Sequence, residues 1–177
     1  MQLKYFNMSI TKASIADAAE LTALVNSAYR GETSKLGWTS ESHLLDGIRI
    51  DEPTFTNYLE DHNIIILKNY NSEGLITACV YLEQRNDKLY LGMLTVSPTE
   101  QGKGIGKELL IHAEHYAKRL GCKAIQITVI TSRHELIAWY ERNGYKATGE
   151  VLPFPKDEKF GRPKTFIELM VMEKPVL

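Results

Sequence analysis

Apolar residues along this chain change period several times, and each change marks an element. Ala18, Leu21, Leu24, Val25 and Ala28 fall at the three-and-four spacing of a one-sided helix ending near Arg30. Ser14 stands three residues before Asp17, the spacing of a capping box, at the start of that helix. Ahead of it, Met8 to Ala13 alternates weakly and predicts a first strand. The stretch GETSKLGWTSESHLLDGIRID predicts a loop, then a short helix capped by Thr39 or Ser40. A further helical turn or two is expected between Pro53 and Glu60.

Beyond that the periodicity changes. NIIILKNY, GLITACVYLE and KLYLGMLTV are rich in β-branched and aromatic residues and are separated by the turn signals NSEG and RND. They predict three consecutive antiparallel strands. From Gly104 to Leu120 the apolar positions Ile105, Leu109, Leu110, Ala113, Tyr116, Ala117 and Leu120 restore the helical period, closed by Gly121. KAIQITVI predicts a strand, and HELIAWYERNG a helix ended by Gly144. YKATGEV and TFIELMVMEK predict two last strands around the proline-bearing loop LPFPKDEKFGRPK. The order β-α-α-β-β-β-α-β-α-β-β describes one mixed α/β domain over residues 8–175.

Composition narrows the picture. A length of 177 residues is enough for one full core, and 44% hydrophobic with 24% charged residues is ordinary for a globular chain. A net charge of -1 gives no electrostatic case for nucleic acid or a membrane surface as partner. No apolar run approaches the roughly 20 residues of a membrane span. The start, MQLKYFNMSITKAS, lacks a secretory pattern. Cys79 and Cys122 sit in β-like apolar stretches without ligand spacing, so buried inert thiols and a reduced, cytoplasmic setting are expected. His112, His115 and His134 are scattered on helices without metal spacing, and no metal is expected.

The candidate chemistry begins at the junction LTVSPTEQGKGIGKELL, residues 94–110. Each glycine at a helix start costs about 1 kcal/mol relative to alanine, so three at alternate positions need a reason. Glycines let successive backbone N–H groups converge on an anion at the positive end of the helix dipole, and Lys103 and Lys107 add charge. A phosphate or pyrophosphate is the expected guest, against the plainer alternative of a tight turn without ligand. A Walker loop would need glycine and Ser/Thr where the chain has Gln101 and Glu108, and a dinucleotide fingerprint would need glycine at Lys107.

Gln101-x-x-Gly104-x-Gly106, following Leu94-Thr95-Val96-x-Pro98, resembles the acetyl-CoA loop of the GNAT N-acetyltransferases. Ala138-Trp139-Tyr140-Glu141-Arg142-Asn143-Gly144-Tyr145 resembles that family's second signature. The run AYRGE…GWTSE…LLDG, with PFP…FGRP, is similar to a recurring subgroup of small microbial GNAT proteins. The resemblance implies a mixed, mostly antiparallel sheet flanked by helices, with its fourth and fifth strands splayed apart around the thioester. Acetyl-CoA would be the co-substrate. Its pyrophosphate would lie on the backbone of Gln101, Gly102, Lys103, Gly104, Ile105, Gly106 and Lys107. Its pantetheine arm would pair with the strand edge at Leu94, Thr95 and Val96, as an added strand does.

The implied chemistry is direct attack of an amine on the thioester through a tetrahedral oxyanion, which the N–H of Leu94 or Val96 could polarise. Tyr140 aligns with the family tyrosine that protonates the departing thiolate, a task within reach of a phenol of pKa about 10. Arg133 stands seven residues earlier, where the family often has a cofactor-contacting asparagine. Arg133, Leu136 and Tyr140 share one helix face and are assigned to the cofactor side, although Arg133 could instead meet an acidic group on the acceptor. The amine needs a base, and Glu41 ranks before Glu83 and Glu135. Tyr29, Arg30 and Trp38 complete the implied acceptor wall.

The acceptor would be a primary amine of a small molecule or a peptide amino group. An acidic pocket of Glu41, Glu83 and Glu135 would select a cationic acceptor, and an arginine-led pocket of Arg30 and Arg133 one bearing a carboxylate or phosphate. A monomer or homodimer is expected. Two rival readings share the glycine loop: a non-catalytic acyl-CoA-binding or sensor module, and a nucleotide-binding protein.

Overall fold

The computed structural model describes residues 9–177. The predicted first strand is therefore seen from its second residue, as β1 (Ser9–Lys12), and Met8 lies outside the described residues. The capping box forms: the Ser14 N–H donates to the Asp17 carboxylate at 2.8 Å and opens a 3-10 turn into α1 (Ala18–Tyr29). Asp51 caps α3 (Glu52–Glu60) by accepting the Thr54 N–H at 2.7 Å.

Between them the sequence expectation needs correcting. The short helix is α2 (Gly31–Ser34), and Thr39 and Ser40 cap nothing. Their hydroxyls serve the loop instead: Thr39 Oγ1 donates to the Ala28 carbonyl at 3.2 Å, and Ser40 pairs with Ser34 at 2.7 Å. Such local side-chain bonds compete with helix formation. The chain then turns into a two-residue strand, β2 (Leu45–Asp46), that pairs antiparallel with β8 (Arg162–Pro163) from the late proline-bearing loop. Neither strand has a length that hydrophobic alternation could reveal.

The main elements otherwise follow the predicted order: β3 (Ile64–Tyr70), β4 (Ile76–Arg85), β5 (Lys88–Val96), α4 (Ile105–Arg119), β6 (Ala124–Ile130), α5 (His134–Arg142), β7 (Lys146–Pro153) and β9 (Glu168–Pro175). They build a seven-stranded sheet ordered β1-β3-β4-β5-β6-β9-β7. Two cores cover its faces. On one, Leu21 and Val25 of α1 and Phe55 of α3 pack on Ile66, Cys79 and Met93. On the other, Leu109 and Ala113 of α4 pack on Leu67, Val80, Leu91 and Ile127. β4 is buried continuously from Ile76 to Leu82, as a central strand covered on both faces must be. Among the described residues no helix is long and apolar enough to cross a membrane.

Two irregularities shape the middle of the sheet. Met93 has a φ of +51°, and the β4–β5 register slips by one residue between Tyr81↔Gly92 and Cys79↔Thr95. The extra residue is a bulge that reverses alternation along β5. Leu89 and Leu91 face the α4 side, Met93 the α1 side, and Leu94 and Val96 return to the α4 side. Second, the only parallel pairing among the described residues, β5 with β6, ends at Tyr90↔Gln126. Beyond it the two strands diverge and leave the V-shaped gap the resemblance implied.

Candidate active site

The junction after β5 is built as its glycines require. Gly102 and Gly104 have φ of +82° and +84°, the left-handed region that side chains disfavour, and Gly104 is the N-cap of α4. Gly106 lies inside the helix with ordinary torsions, and a Cβ there would approach the Trp139 ring at 3.4 Å. Here absence of a side chain serves close packing. Gly102, Gly104, Ile105, Gly106 and Lys107 line a cavity of about 380 Å³, together with Leu94 and Val96 of β5. Lys103 turns away, its ammonium 2.7 Å from Glu100.

Gln101 acts as a clasp. Its Nε2 donates to the Val96 carbonyl at 3.1 Å and to Thr39 Oγ1 at 2.9 Å, while Oε1 accepts the Trp38 N–H at 2.9 Å. It thus fixes the loop after α2 onto the end of β5. Gly37 leaves room for it, since a Cβ there would come within 2.5 Å of Gln101 Oε1. The Ser97 N–H bonds the Thr77 carbonyl of β4 at 2.7 Å, so Val96 and Leu94 turn their backbone groups to the open side. Gln101 holds the Val96 carbonyl and the Tyr29 hydroxyl donates to the Leu94 carbonyl. The exposed strand edge therefore offers N–H donors, with both carbonyls already taken. The Thr95 side chain faces away, buried, with Oγ1 donating to the Met93 carbonyl at 3.0 Å.

A second cavity, of about 430 Å³, opens on the other side of β5. Arg30, Glu41, Arg49, Arg85 and Arg133 line it with an aromatic wall that includes Tyr58, Tyr81 and Tyr90. Glu41 is held between two buried guanidiniums, Arg30 Nη2 at 3.2 Å and Arg133 Nη1 at 3.8 Å. Burial disfavours the charge on Arg30, and Glu41 opposes that effect. Arg30 also donates to the Phe160 carbonyl at 3.1 and 3.0 Å, tying the loop before β8 across the cavity. Arg133 donates to the carbonyls of Thr39 and Trp38 at 3.3 and 3.4 Å.

The two cavities share Tyr29, Leu94, Leu136 and Tyr140. Tyr140 is only 6% exposed, stacked edge-on against Trp139 and Tyr145 at ring separations of 5.0 and 5.4 Å. Burial, then the neighbouring Tyr29 and Tyr145 phenols, push its pKa well above the usual value. Burial and the Glu41 charge push Tyr29 up to about 12. Both phenols therefore hold their protons throughout the physiological range.

Several expected residues lie elsewhere than the sequence assigned them. Arg133 lines the arginine-rich cavity and is not among the residues of the glycine-loop cavity; at 8% exposure it braces the α2 loop. Trp38, expected on the acceptor wall, borders the glycine-loop cavity, 6.3 Å from Trp139. Glu83 and Glu135 line neither cavity; Glu83 accepts from the Tyr81 hydroxyl at 2.9 Å and from Arg85 Nε at 2.7 Å, and Glu135 is exposed. Arg49, Tyr58 and Tyr90 escaped sequence reasoning because they belong to no motif and are gathered only by the sheet. Cys79 and Cys122 are free and buried, and burial raises Cys79 to about 12.

Comparison with known proteins agrees with this geometry. The family described as "Acetyltransferase (GNAT) family" matches residues 21–145. A spermine/spermidine N(1)-acetyltransferase of Bacillus subtilis (strain 168) is 29% identical over 70 residues, 39% of this chain and 46% of that protein. The chain thus aligns with somewhat under half the length of that relative. Among solved structures, the ribosomal-protein-S18-alanine N-acetyltransferase of Escherichia coli superposes with a TM-score of 0.69 at 18% identity, covering 96% of this chain and 94% of that one. PaiA N-acetyltransferase of Thermoplasma acidophilum, solved with coenzyme A, gives a TM-score of 0.69 at 20% identity, covering 96% and 99%.

Proposed function

The chain belongs to the acetyltransferase (GNAT) family, and from that premise we propose that it is an acetyl-CoA-dependent N-acetyltransferase acting on a primary amine of a small molecule or peptide. One observation carries the reading: a glycine-loop cavity and a polar cavity that meet at Tyr29, Leu94, Leu136 and Tyr140. A donor on one side and an amine on the other would touch only there. The buried free thiols fit a reducing, cytoplasmic setting.

The residues present fit acetyl-CoA. The left-handed glycines and the N-terminus of α4 would hold its pyrophosphate with Lys107 alongside. The Val96 N–H would take a carbonyl of the pantetheine arm. When bound, the co-substrate supplies an activated acetyl thioester. The Leu94 N–H, on the edge of the gap, can donate to oxygen as negative charge develops there. The Tyr140 hydroxyl, which no protein group bonds among the described residues, retains a proton to give to the departing sulfur.

Glu41 is the one carboxylate lining the polar cavity among the described residues. Its two arginine contacts leave lone pairs free to align the amine and take its proton, directly or through water. In the balanced reaction the new C–N bond replaces the C–S bond, the amine proton leaves toward Glu41, and the thiolate gains one from Tyr140.

The test is thiol release from acetyl-CoA with amino acids, polyamines (the acceptors named for the Bacillus subtilis relative), aminoglycosides and peptide N-termini. Amine-dependent release supports the proposal. Tight acetyl-CoA binding with only slow hydrolysis across the whole panel would replace it with a non-catalytic acyl-CoA-binding role.

A further inference from the structure

The polar cavity is unbalanced in charge: four arginines line it against one carboxylate. The imbalance survives an accounting of partners. Arg30 and Arg133 both address Glu41, and Arg85 is committed to Glu83 at 2.5 Å and to the Tyr90 ring at 3.9 Å. Arg49 is different. Among the described residues its guanidinium has no hydrogen-bond or ion-pair partner; it lies over the rings of Tyr29 and Phe160, 6.0 and 5.7 Å from their centroids.

The half-buried Arg49 is fixed in place by other means. The N–H groups of Arg49 and Ile50 both reach the Asn26 side-chain carbonyl, at 2.7 and 3.2 Å, and Asn26 Nδ2 returns a bond to the Ile50 carbonyl at 2.9 Å. A side chain held by its backbone and aromatic neighbours, with its five donors unspent, is prepared to receive a planar or tetrahedral oxyanion in a forked bond. Desolvating an unpaired guanidinium is costly without such a partner.

Resting on the N-acetyltransferase reading above, we propose that the acceptor is a small amine bearing an anionic group, a carboxylate or phosphonate, which Arg49 binds while Glu41 meets the amine. The two residues both border Tyr29, so the acceptor's charges would lie across that ring with the amine toward Tyr140 and the shared junction. A polyamine would bring further positive charge into a cavity that already carries an excess of it. Arg49 thereby determines specificity without contacting the acetyl donor.

The experiment compares glycine, alanine and 2-aminoethylphosphonate with glycinamide, alaninamide and 1,4-diaminobutane in the thiol-release assay. Each is also titrated calorimetrically into the CoA-loaded protein. The full-length chain is used as wild type, Arg49→Gln and Arg49→Lys. Expected is a kcat/KM at least tenfold higher for the acid-bearing amines than for their amides. In Arg49→Gln that advantage disappears through a rise in KM, while Arg49→Lys retains part of it and the acetyl-CoA Kd stays within twofold. The carboxylate and phosphonate arms decide which anion fits better.

Equal or better use of the amides or the diamine overturns the inference, as does an acid preference that persists in Arg49→Gln. If no amine is turned over, the transferase reading fails and calorimetry alone decides. Acid-selective binding lost in Arg49→Gln then upholds the anion site, and its absence refutes it.

Discussion

Replacing the helix-start glycines one at a time separates the two reasons for having them. At Gly104 the φ of +84° is the whole obstacle, because an added Cβ would meet nothing within 4 Å. Alanine in that left-handed conformation costs about 1–2 kcal/mol. In a domain of this size each kcal/mol moves Tm by roughly 2–4 °C, so Gly104→Ala should melt about 2–8 °C lower if the turn is kept. If the turn instead relaxes, stability returns but the N–H groups lose their convergence, and acetyl-CoA affinity falls at least about tenfold.

Gly106 has ordinary helical torsions, so Gly106→Ala gains up to about 1 kcal/mol of helix propensity. Against that stands only a 3.4 Å contact with the Trp139 ring. Its stability should stay within about 1 kcal/mol of wild type, a balance of those two effects. Differential scanning calorimetry of the free protein and isothermal titration with acetyl-CoA read both quantities. Wild-type melting together with wild-type affinity in Gly104→Ala would show that the left-handed turn at residue 104 is not needed, and a larger loss of stability in Gly106→Ala would invert the roles given to the two glycines.

Other predictions address the remaining parts of the site. Glu41→Gln keeps the shape but strips the counter-charge from Arg30 and Arg133, whose side chains are 5% and 8% exposed. Urea denaturation should register a loss of about 3 kcal/mol, typical of a broken buried ion pair, and a loss below about 1 kcal/mol would contradict the clamp. At alkaline pH, Tyr29 and Cys79 have folded pKa values raised to about 12, and Tyr140 is raised as well. The unfolded chain then releases protons first. Stability is fully present below about pH 9, the unfolded value for a thiol, and is lost progressively as pH rises toward 12. Part of the phenolate absorbance should therefore appear cooperatively with loss of the circular dichroism signal; smooth titration of every tyrosine near pH 10 in a protein still folded would refute this.

The sequence was most readable where a local pattern has a local cause. The β-branched and aromatic runs became β3 and β5, whose burial alternates, and β4, which is covered on both faces of the sheet, and Gly121 and Gly144 ended α4 and α5 by the left-handed turns only glycine takes easily. The glycine loop pointed to a ligand because three glycines at alternate positions of a helix start contradict helix propensity. Long-range arrangement was less readable. Thr39 and Ser40 look like helix caps in one dimension, yet Ala28 and Ser34 claim their hydroxyls. Arg133 looked like a cofactor ligand by its spacing from Tyr140, and only the fold reveals Glu41 and the carbonyls of Trp38 and Thr39 beside it. Arg49 carries no local signal at all. Its importance comes from what three other arginines have already spent.

Transfer of the acetyl group where the two cavities meet requires Tyr140 to supply the proton to sulfur. The most direct test is steady-state turnover of Tyr140→Phe with the best acceptor, beside its acetyl-CoA Kd and melting temperature. A fall in kcat of about 100-fold or more, with Kd and Tm near wild type, is the result predicted for the loss of a positioned acid. Wild-type kcat in a folded, acetyl-CoA-binding Tyr140→Phe protein would contradict it.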